Sequence, residues 1–271
     1  MPELPEVETI RFYLTETVLG QRVNTVKHLD QRMVKTGSAS AEEITRRLPG
    51  RMVKSIKRRG KFLFLEWDTQ DHLLVHLGMS GRLIWIPDSA PWVTHTHMVL
   101  GFRDFDLRLS DPRRFGRIGW LPAGEEPGAQ LGVEPLGRRL TRQFLAQKLK
   151  GRSAPIKALL LDQRIIAGLG NIYVDESLFQ ARIRPDRPGS SLTPAEITRM
   201  IRAIRAVLKQ AIMHRGTTFS DYVDALGHPG ENQAYLWVYG RSGQECRRCG
   251  HLLAQQVIAG RTSHFCGHCQ S

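Results

Sequence analysis

The sequence lacks the features that would direct a chain into or through a membrane. No uninterrupted apolar run reaches the roughly 18 residues that a membrane-spanning helix needs. The opening MPELPEVETI is acidic and interrupted by proline, so it does not have the positive start and continuous apolar stretch of a secretory signal. We therefore expect a cytoplasmic protein that does not associate with membranes.

Acidic residues are scarce relative to basic ones. The chain has 26 Asp and Glu against 39 Lys and Arg, which gives a formal charge of +13. This excess favours a polyanionic partner, although a solubilising surface is the alternative. Arginine is concentrated in KRRGK at 57–61 and DPRRFGR at 111–117, and its guanidinium fork matches phosphate oxygens. Charge alone does not distinguish DNA from RNA or from an anionic membrane.

Cysteine is absent until the last 26 residues, which contain all four copies: Cys246, Cys249, Cys266 and Cys269. Two CxxC pairs separated by sixteen residues are typical of a structural zinc site, because four thiolates complete a tetrahedron and leave no position for a catalytic water. Two disulfides are the alternative, but they rarely persist in a reducing compartment. The spacing therefore predicts one structural Zn²⁺.

The first half of the chain has the pattern of a helix followed by a β-sandwich. Apolar residues recur at helical spacing from Pro5 to about Leu19, and Pro5 suits the start of a helix. Between about 22 and 120, segments such as HMVLGFRDFDLRLSD alternate apolar and polar residues between turn residues, as strands do. The Pro- and Gly-rich stretch at 121–137 then predicts a linker to a second domain.

The second half has helical periodicity and ends in a hairpin. Four helices are predicted in TRQFLAQKLK, APIKALLLDQ, NIYVDESLFQ and TPAEITRMIRAIRAVLKQAIMHRG, the last with Thr193 and Glu196 at capping-box spacing. The polar stretch at 216–235 predicts a mobile functional loop. The cysteine pairs flank a predicted hairpin that turns at Ala259-Gly260 and presents Arg261 at its tip.

The Pro2-Glu3 pair combines a nucleophile with an acid. Methionine before proline is normally removed, which would leave Pro2 as a secondary amine. A reference α-amine has a pKa of about 8 and lysine about 10.4, so near pH 7 the terminal amine is neutral far more often. Such an amine can form an iminium linkage with a sugar carbon, while Glu3 protonates an oxygen. A simple helix leader is the alternative.

Five motifs together resemble one family. PELPEVET, HLGMSG, DPRRFG, GLGNIYVDE and the four-cysteine finger, which occur in this order from residue 2 to residue 269, resemble bacterial formamidopyrimidine-DNA glycosylases of the Fpg/MutM family. The resemblance implies an α+β multidomain fold. Its parts are a catalytic β-sandwich with an N-terminal helix at 1–130, a helix-two-turn-helix DNA-binding domain with a lesion-recognition loop at 131–235, and a zinc-finger β-hairpin at 236–271.

The resemblance also implies an activity. Such enzymes are bifunctional glycosylases and AP lyases of base excision repair: they excise 8-oxoguanine and formamidopyrimidines through a proline Schiff base, then cut the strand by β,δ-elimination. The implied partner is damaged double-stranded DNA, bound by a monomeric, cytoplasmic bacterial protein that associates with the nucleoid during repair. The implied cofactor is one structural Zn²⁺.

The family's functional residues match positions in this chain. For catalysis, Pro2 matches the nucleophile and Glu3 the proton donor; Lys61 matches the lysine of the elimination steps and Arg261 the arginine of phosphate binding and δ-elimination. The residues that match DNA contacts are Met79, His95, Arg113, Phe115, Arg152, Asn171 and Tyr239.

Within this second set, Met79 and Phe115 match apolar wedges, and Arg113 matches the arginine that hydrogen-bonds the orphaned base. Without the resemblance, Met79 and Phe115 would be read as core residues, Lys61 as a surface lysine and Asn171 as a helix cap. Thr96 stands where many relatives carry an acid, which leaves the orientation of His95 open.

Two other functions compete with this interpretation. An endonuclease VIII-like glycosylase would act on oxidised pyrimidines, but Leu4, Pro5 and Val7 differ from its usual opening. A non-catalytic zinc-ribbon DNA-binding protein would need neither Pro2 nor Glu3, and the chain retains both.

Overall fold

The computed structural model describes residues 2–271, which divide into two compact units. The first consists of the described residues up to Ala129 together with His214–Gln233, and the second of Gln130–Met213 together with Ala234–Ser271. Within residues 2–271, the structure has no helix whose length and apolar character would let it cross a membrane.

The first unit is a β-sandwich. Its strands are β1 (Thr25–Leu29), β2 (Val34–Gly37), β3 (Val53–Arg59), β4 (Phe62–Trp67), β5 (His72–His76), β6 (Arg82–Pro87), β7 (Thr96–Gly101), β8 (Phe105–Ser110) and β9 (Arg117–Leu121). One sheet has the order β1-β7-β8-β6 and the other β2-β9-β5-β4-β3. Neighbouring strands are antiparallel except β2 and β9. Leu65 and Val75 from one sheet share a buried cluster with Met98 and Leu107 from the other, which confirms the predicted sandwich.

Two helices belong to this unit, α1 (Leu4–Val18) and α2 (Ala41–Arg47). Helix α1 begins one residue before the predicted Pro5, with Glu3 as its N-cap. Its apolar stripe enters the sandwich core through Val7, Ile10, Leu14 and Val18. Burial of each such side chain contributes about 1.5–3 kcal/mol, so the sandwich fixes the start of α1.

The second unit contains the predicted helices. They are α3 (Arg142–Leu149), α4 (Ile156–Leu161), α5 (Asn171–Ala181) and α6 (Pro194–Met213). The predicted capping box of α6 is confirmed, because Glu196 N–H donates to Thr193 Oγ1 at 3.3 Å and Thr193 N–H donates to Glu196 Oε2 at 2.8 Å.

The chain closes with a hairpin of β10 (Ala254–Ile258) and β11 (Arg261–Phe265). Ile258 pairs with Arg261 across the turn, and the two turn residues, Ala259 and Gly260, have φ of 50° and 72°. Positive φ at both central positions is typical of a type I′ turn, which suits the twist of a two-residue hairpin. The predicted hairpin and its turn are confirmed.

The segment His214–Gln233 packs with the sandwich, although it follows α6 in the chain. Tyr222 and Ala225 are buried in the sandwich core, and Trp85 N–H of β6 donates to Ala225 O at 2.8 Å. Asp224 Oδ1 accepts from the N–H groups of Leu226 and His228 at 2.9 and 3.0 Å. The predicted domain boundaries follow chain order, whereas this segment packs with the sandwich through the buried ring of Tyr222.

Candidate active site and nucleic-acid interface

The two residues before α1 are buried. Glu3 exposes 2% of its surface, and Pro2 is also buried. Glu6 Oε2 accepts from Glu3 N–H at 2.8 Å, and Glu6 Oε1 accepts from Thr217 N–H at 2.8 Å. Glu6 therefore connects the start of α1 to the segment His214–Gln233. Sequence reasoning missed this second contact, although an acid three residues after an N-cap is the capping-box signal for the first.

Lys61 lies in the tight turn between β3 and β4, where Gly60 has a φ of 58°. Its side chain is buried, with 8% of the residue exposed, so it is not the surface lysine of the alternative interpretation. Arg58 joins this turn to α1: its Nε donates to Glu8 Oε2 at 2.7 Å and its Nη1 to Gly60 O at 3.1 Å. One arginine of KRRGK, Arg58, therefore stabilises the fold through these internal hydrogen bonds rather than serving as a phosphate ligand.

His76, at the end of β5, connects this turn to the next loop. Burial, together with the positive charges of Arg117 and Lys61, lowers the pKa of His76 to about 4. Its Nδ1 accepts from Gly78 N–H at 3.1 Å, so the neutral ring carries its hydrogen on Nε2. His76 thus fixes the first residues of the HLGMSG loop and keeps a donor available, a role that sequence reasoning did not assign.

Asp111 joins the two loops that carry the predicted wedge residues. The residue is fully buried. Its Oδ1 accepts from Ser80 Oγ at 2.6 Å and Arg113 N–H at 3.2 Å, and its Oδ2 accepts from Gly116 N–H at 2.7 Å. The loops also touch directly, because a Cβ on Gly78 would lie 2.5 Å from the backbone of Phe115 and Gly116. Sequence reasoning placed Asp111 in a motif without giving it this role.

Large side chains stand exposed on these loops. Met79 is 42% and Phe115 48% exposed, so neither is a core residue. The guanidinium of Arg113 lies over the Phe115 ring, 4.6 Å from its centroid. His95 is exposed with a φ of 63°, and its carbonyl accepts from Asp111 N–H at 3.0 Å. The structure therefore brings Met79, Arg113, Phe115 and His95 together around Asp111.

In the second unit, α5 contacts the hairpin next to Arg261, which is itself exposed. Asn171 Nδ2 and Lys157 Nζ donate to Thr262 O at 2.9 and 3.1 Å. Lys157 also pairs with Asp175 Oδ1 at 2.6 Å, both side chains being fully buried. Asp175 Oδ2 accepts from His264 N–H at 2.8 Å. Asn171 is the first residue of α5 and follows the N-cap Gly170.

The neighbouring carboxylate, Glu176, contacts the chain entering the finger. It accepts from Trp237 N–H, Val238 N–H and Tyr239 N–H, each at 2.9 Å. Burial raises the pKa of Glu176, and the three donors oppose that rise. The Tyr239 ring meets the His264 ring edge-on at 4.8 Å. Arg152 is exposed just after α3, and its carbonyl accepts from Ser190 N–H at 2.9 Å.

The four cysteines converge on one point. Their sulfur atoms lie within 4.8 Å of one another, with Sγ–Sγ distances of 4.0 Å for Cys246–Cys269 and 3.5 Å for Cys249–Cys266. A tetrahedron with Zn–S bonds of about 2.3 Å has sulfur–sulfur edges of about 3.8 Å. Four converging thiolates would repel one another, so a cation among them would stabilise the cluster. The thiols are free, and their geometry fits Zn²⁺.

Comparisons with known proteins agree with the observed sandwich, helical unit and four-cysteine hairpin. Family profiles match at 1–118 (formamidopyrimidine-DNA glycosylase N-terminal domain), 131–223 (its H2TH domain) and 243–271 (zinc finger found in FPG and IleRS). A curated formamidopyrimidine-DNA glycosylase from Carboxydothermus hydrogenoformans is 42% identical over 270 residues, covering 100% of both chains.

Solved structures give the same result. Lactococcus lactis Fpg (MutM) bound to N7-benzyl-Fapy-dG DNA is 35% identical, with a TM-score of 0.93 and 100% of both chains covered. The same protein bound to DNA containing an oxidised pyrimidine gives 35% identity, a TM-score of 0.92 and the same coverage. This chain belongs to the formamidopyrimidine-DNA glycosylase family. The predicted family and fold are confirmed, as is the prediction of an enzyme.

Proposed function

We propose that the protein is a bifunctional DNA glycosylase and AP lyase that excises oxidised purines from double-stranded DNA. The observation that carries the proposal is the grouping of the predicted residues within the first unit. Pro2 and Glu3 are buried at the start of α1, and Arg58 joins Glu8 of that helix to the Lys61 turn. In the same unit, Asp111 joins the two loops that expose Met79 and Phe115. The sandwich therefore carries the proposed nucleophile, the proposed acid and the proposed base-displacing side chains.

In the proposed chemistry, the Pro2 amine attacks the deoxyribose C1′ once Met1 is removed. The C1′–N bond to the damaged base breaks, the base takes a proton, and Glu3 protonates the ring oxygen as the sugar opens to an iminium. Loss of a proton from C2′ expels the 3′ phosphate, and a second elimination expels the 5′ phosphate. We assign Lys61 to these elimination steps and Arg261 to the phosphate of the second.

The proposed DNA grip divides between the two units. Extrusion of a base costs a few kcal/mol of lost stacking, and Met79 and Phe115 are apolar side chains of the kind that insert between base steps. Arg113 would donate hydrogen bonds to the base left opposite. His95, Arg152, Asn171, Tyr239 and Arg261 would contact the backbone, where charge-assisted bonds to phosphate are strongest from arginine.

We further propose that Cys246, Cys249, Cys266 and Cys269 bind one structural Zn²⁺. The sulfur–sulfur distances support the proposal, and four protein ligands leave no open position for a substrate. The metal would contribute the stability that the finger's small apolar cluster does not supply.

Borohydride trapping tests the function. Reduction of the iminium should link the protein covalently to a duplex containing 8-oxoguanine, and more slowly to one containing an oxidised pyrimidine. Faster trapping on the pyrimidine duplex would contradict the proposed preference for purines and favour oxidised pyrimidines, a lesion class found bound to Lactococcus lactis Fpg (MutM). If neither duplex is trapped although both bind, the chain is a non-catalytic DNA-binding protein.

A further inference from the structure

His97 lies at the start of β7, 2% exposed, between two acceptors. Its Nδ1 is 3.1 Å from Asp30 Oδ2, and its Nε2 is 3.0 Å from the backbone carbonyl oxygen of Asp111. A carbonyl oxygen only accepts, so Nε2 must carry a hydrogen. Nδ1 faces the side chain of Asp30.

Asp30 is held as a carboxylate by positive groups. The hydrogen bond from Arg32 is the main cause that lowers the pKa of Asp30 far below its usual range. Arg32 Nε and Nη2 donate to its two oxygens at 3.1 Å each, and Arg114 Nη2 lies 3.8 Å from Oδ2. The Asp30 oxygen that faces His97 Nδ1 is therefore a hydrogen-bond acceptor.

We propose that His97 is a positioning residue that fixes the wedge loops for base extrusion. Its Nε2–H fixes the backbone of Asp111, whose carboxylate in turn fixes Ser80, Arg113 and Gly116. The inference rests on the proposed function, because it assigns Met79, Arg113 and Phe115 to the space that the extruded base leaves. His97 does not touch DNA in this scheme; it acts through Asp111.

The charged groups around His97 come from each neighbouring segment. Asp30 and Arg32 follow β1, and Asp111 and Arg114 follow β8. Asp30 and the two guanidinium groups lie on the Nδ1 side. On the Nε2 side, His97 faces the backbone carbonyl of Asp111, whose carboxylate is bonded to Ser80, Arg113 and Gly116. The contacts at Nδ1 and at Nε2 can therefore be tested separately by two substitutions, each of which keeps a donor at only one of these positions.

Two amide variants provide that separation. In His97→Gln, the side-chain Nε2 can still donate to the Asp111 carbonyl, whereas in His97→Asn the amide nitrogen reaches only as far as the Nδ1 position, towards Asp30. His72→Asn is the matched control: His72 is also a buried sandwich histidine, 6% exposed, and neither of its ring nitrogens has a hydrogen-bond partner among the described residues.

The functional arm compares base excision with strand cleavage at a pre-formed abasic site, where no base has to be displaced. We expect His97→Asn to slow single-turnover excision of 8-oxoguanine about tenfold, as loss of a buried hydrogen bond implies. Cleavage of the abasic duplex should change less than about threefold, and His97→Gln should excise within about threefold of wild type. A 2-aminopurine placed opposite a tetrahydrofuran site would report insertion of the wedge side chains into the duplex. We expect this insertion to be reduced only in His97→Asn.

Equal losses of excision rate in His97→Asn and His97→Gln would overturn the positioning role. The same holds if His97→Asn slows excision and abasic-site cleavage in parallel and to the extent seen in His72→Asn. The second arm needs no activity: in the free protein, ¹⁵N–¹H spectra should show a hydrogen on His97 Nε2, the ring nitrogen that faces the Asp111 carbonyl. A ring without a hydrogen on Nε2 contradicts the inference. If instead wild type excises nothing while His97 Nε2 carries a hydrogen, the proposed function fails and the hydrogen-bond assignment stands.

Discussion

The amino-terminal end of α1 and the tip of the β10–β11 hairpin are stabilised in opposite ways. Pro2 and Glu3 are buried, and α1 behind them enters the large sandwich core. Ala259, Gly260 and Arg261 are all exposed, and the apolar cluster beneath the finger is small, consisting of Phe179, Val238, Leu253, Cys246 and Cys266 with a few partly buried neighbours.

This difference matches the chemistry proposed for each region. A nucleophile must be kept within a fraction of an ångström of its target and shielded from water, which a packed core provides. An arginine that binds phosphate must reach into solvent. Its support must therefore come from the backbone turn and from the proposed zinc site below it. Changes in the first region should therefore affect chemistry, and changes in the second should affect affinity.

The largest effect should follow from blocking the Pro2 amine with a retained and acylated N-terminus. Pro2→Gly, which replaces the secondary amine by a primary one, should have a milder effect. Borohydride trapping should be lost with the blocked protein, because no other group replaces the nucleophile, while affinity for a tetrahydrofuran duplex stays within about twofold. Equal trapping by blocked and native protein would refute the assignment of Pro2 as the nucleophile. The start of α1 would then no longer differ from the hairpin tip in having a chemical role.

Glu3→Gln should slow base excision by about 10²–10⁴-fold, because the amide keeps the shape of the side chain but has no proton to transfer. Single-turnover excision measures the effect, with Glu16→Gln as control, an exposed carboxylate on the same helix. If Glu3→Gln excises as fast as the control, Glu3 serves α1 only as an N-cap.

Cys249→Ser should lose zinc and weaken binding to lesion duplexes by about 10–100-fold, since the hairpin would no longer present Arg261. The thermal transition of the sandwich should persist, because its core shares no residue with the finger's cluster. Metal analysis, anisotropy at fixed salt and calorimetry measure these quantities. Full zinc content with normal affinity would contradict the structural role of the site.

Arg261→Ala should have a smaller effect: zinc is retained, affinity falls about tenfold, and the slope of log K against log salt decreases by about 0.9, as expected for one lost phosphate contact. β-Eliminated ends should accumulate. Arg261→Lys, which keeps the charge without the fork, should fall between the two proteins. An unchanged salt slope in Arg261→Ala would show that the hairpin tip does not touch phosphate.

Local patterns were predictable from the sequence. The helical periodicity of α1, the Thr193–Glu196 capping box, the Ala259-Gly260 turn and the CxxC spacing each involve residues that are close in the chain. Their geometry follows from backbone conformation over a few residues. These signals, with the five motifs, were enough to predict the family and its fold.

Only the tertiary structure revealed what supports the site. Glu6 contacts Thr217, Arg58 contacts Glu8, and Asp111 contacts Ser80, over separations of 211, 50 and 31 residues. Such contacts depend on strand register and on how a loop returns to a core, which no local pattern specifies. The sequence by itself therefore determined which residue types are present for the chemistry. Packing decided which carboxylates and cations hold those residues in place. The reason is that a buried polar group needs a partner, and only the fold decides which partner comes within reach.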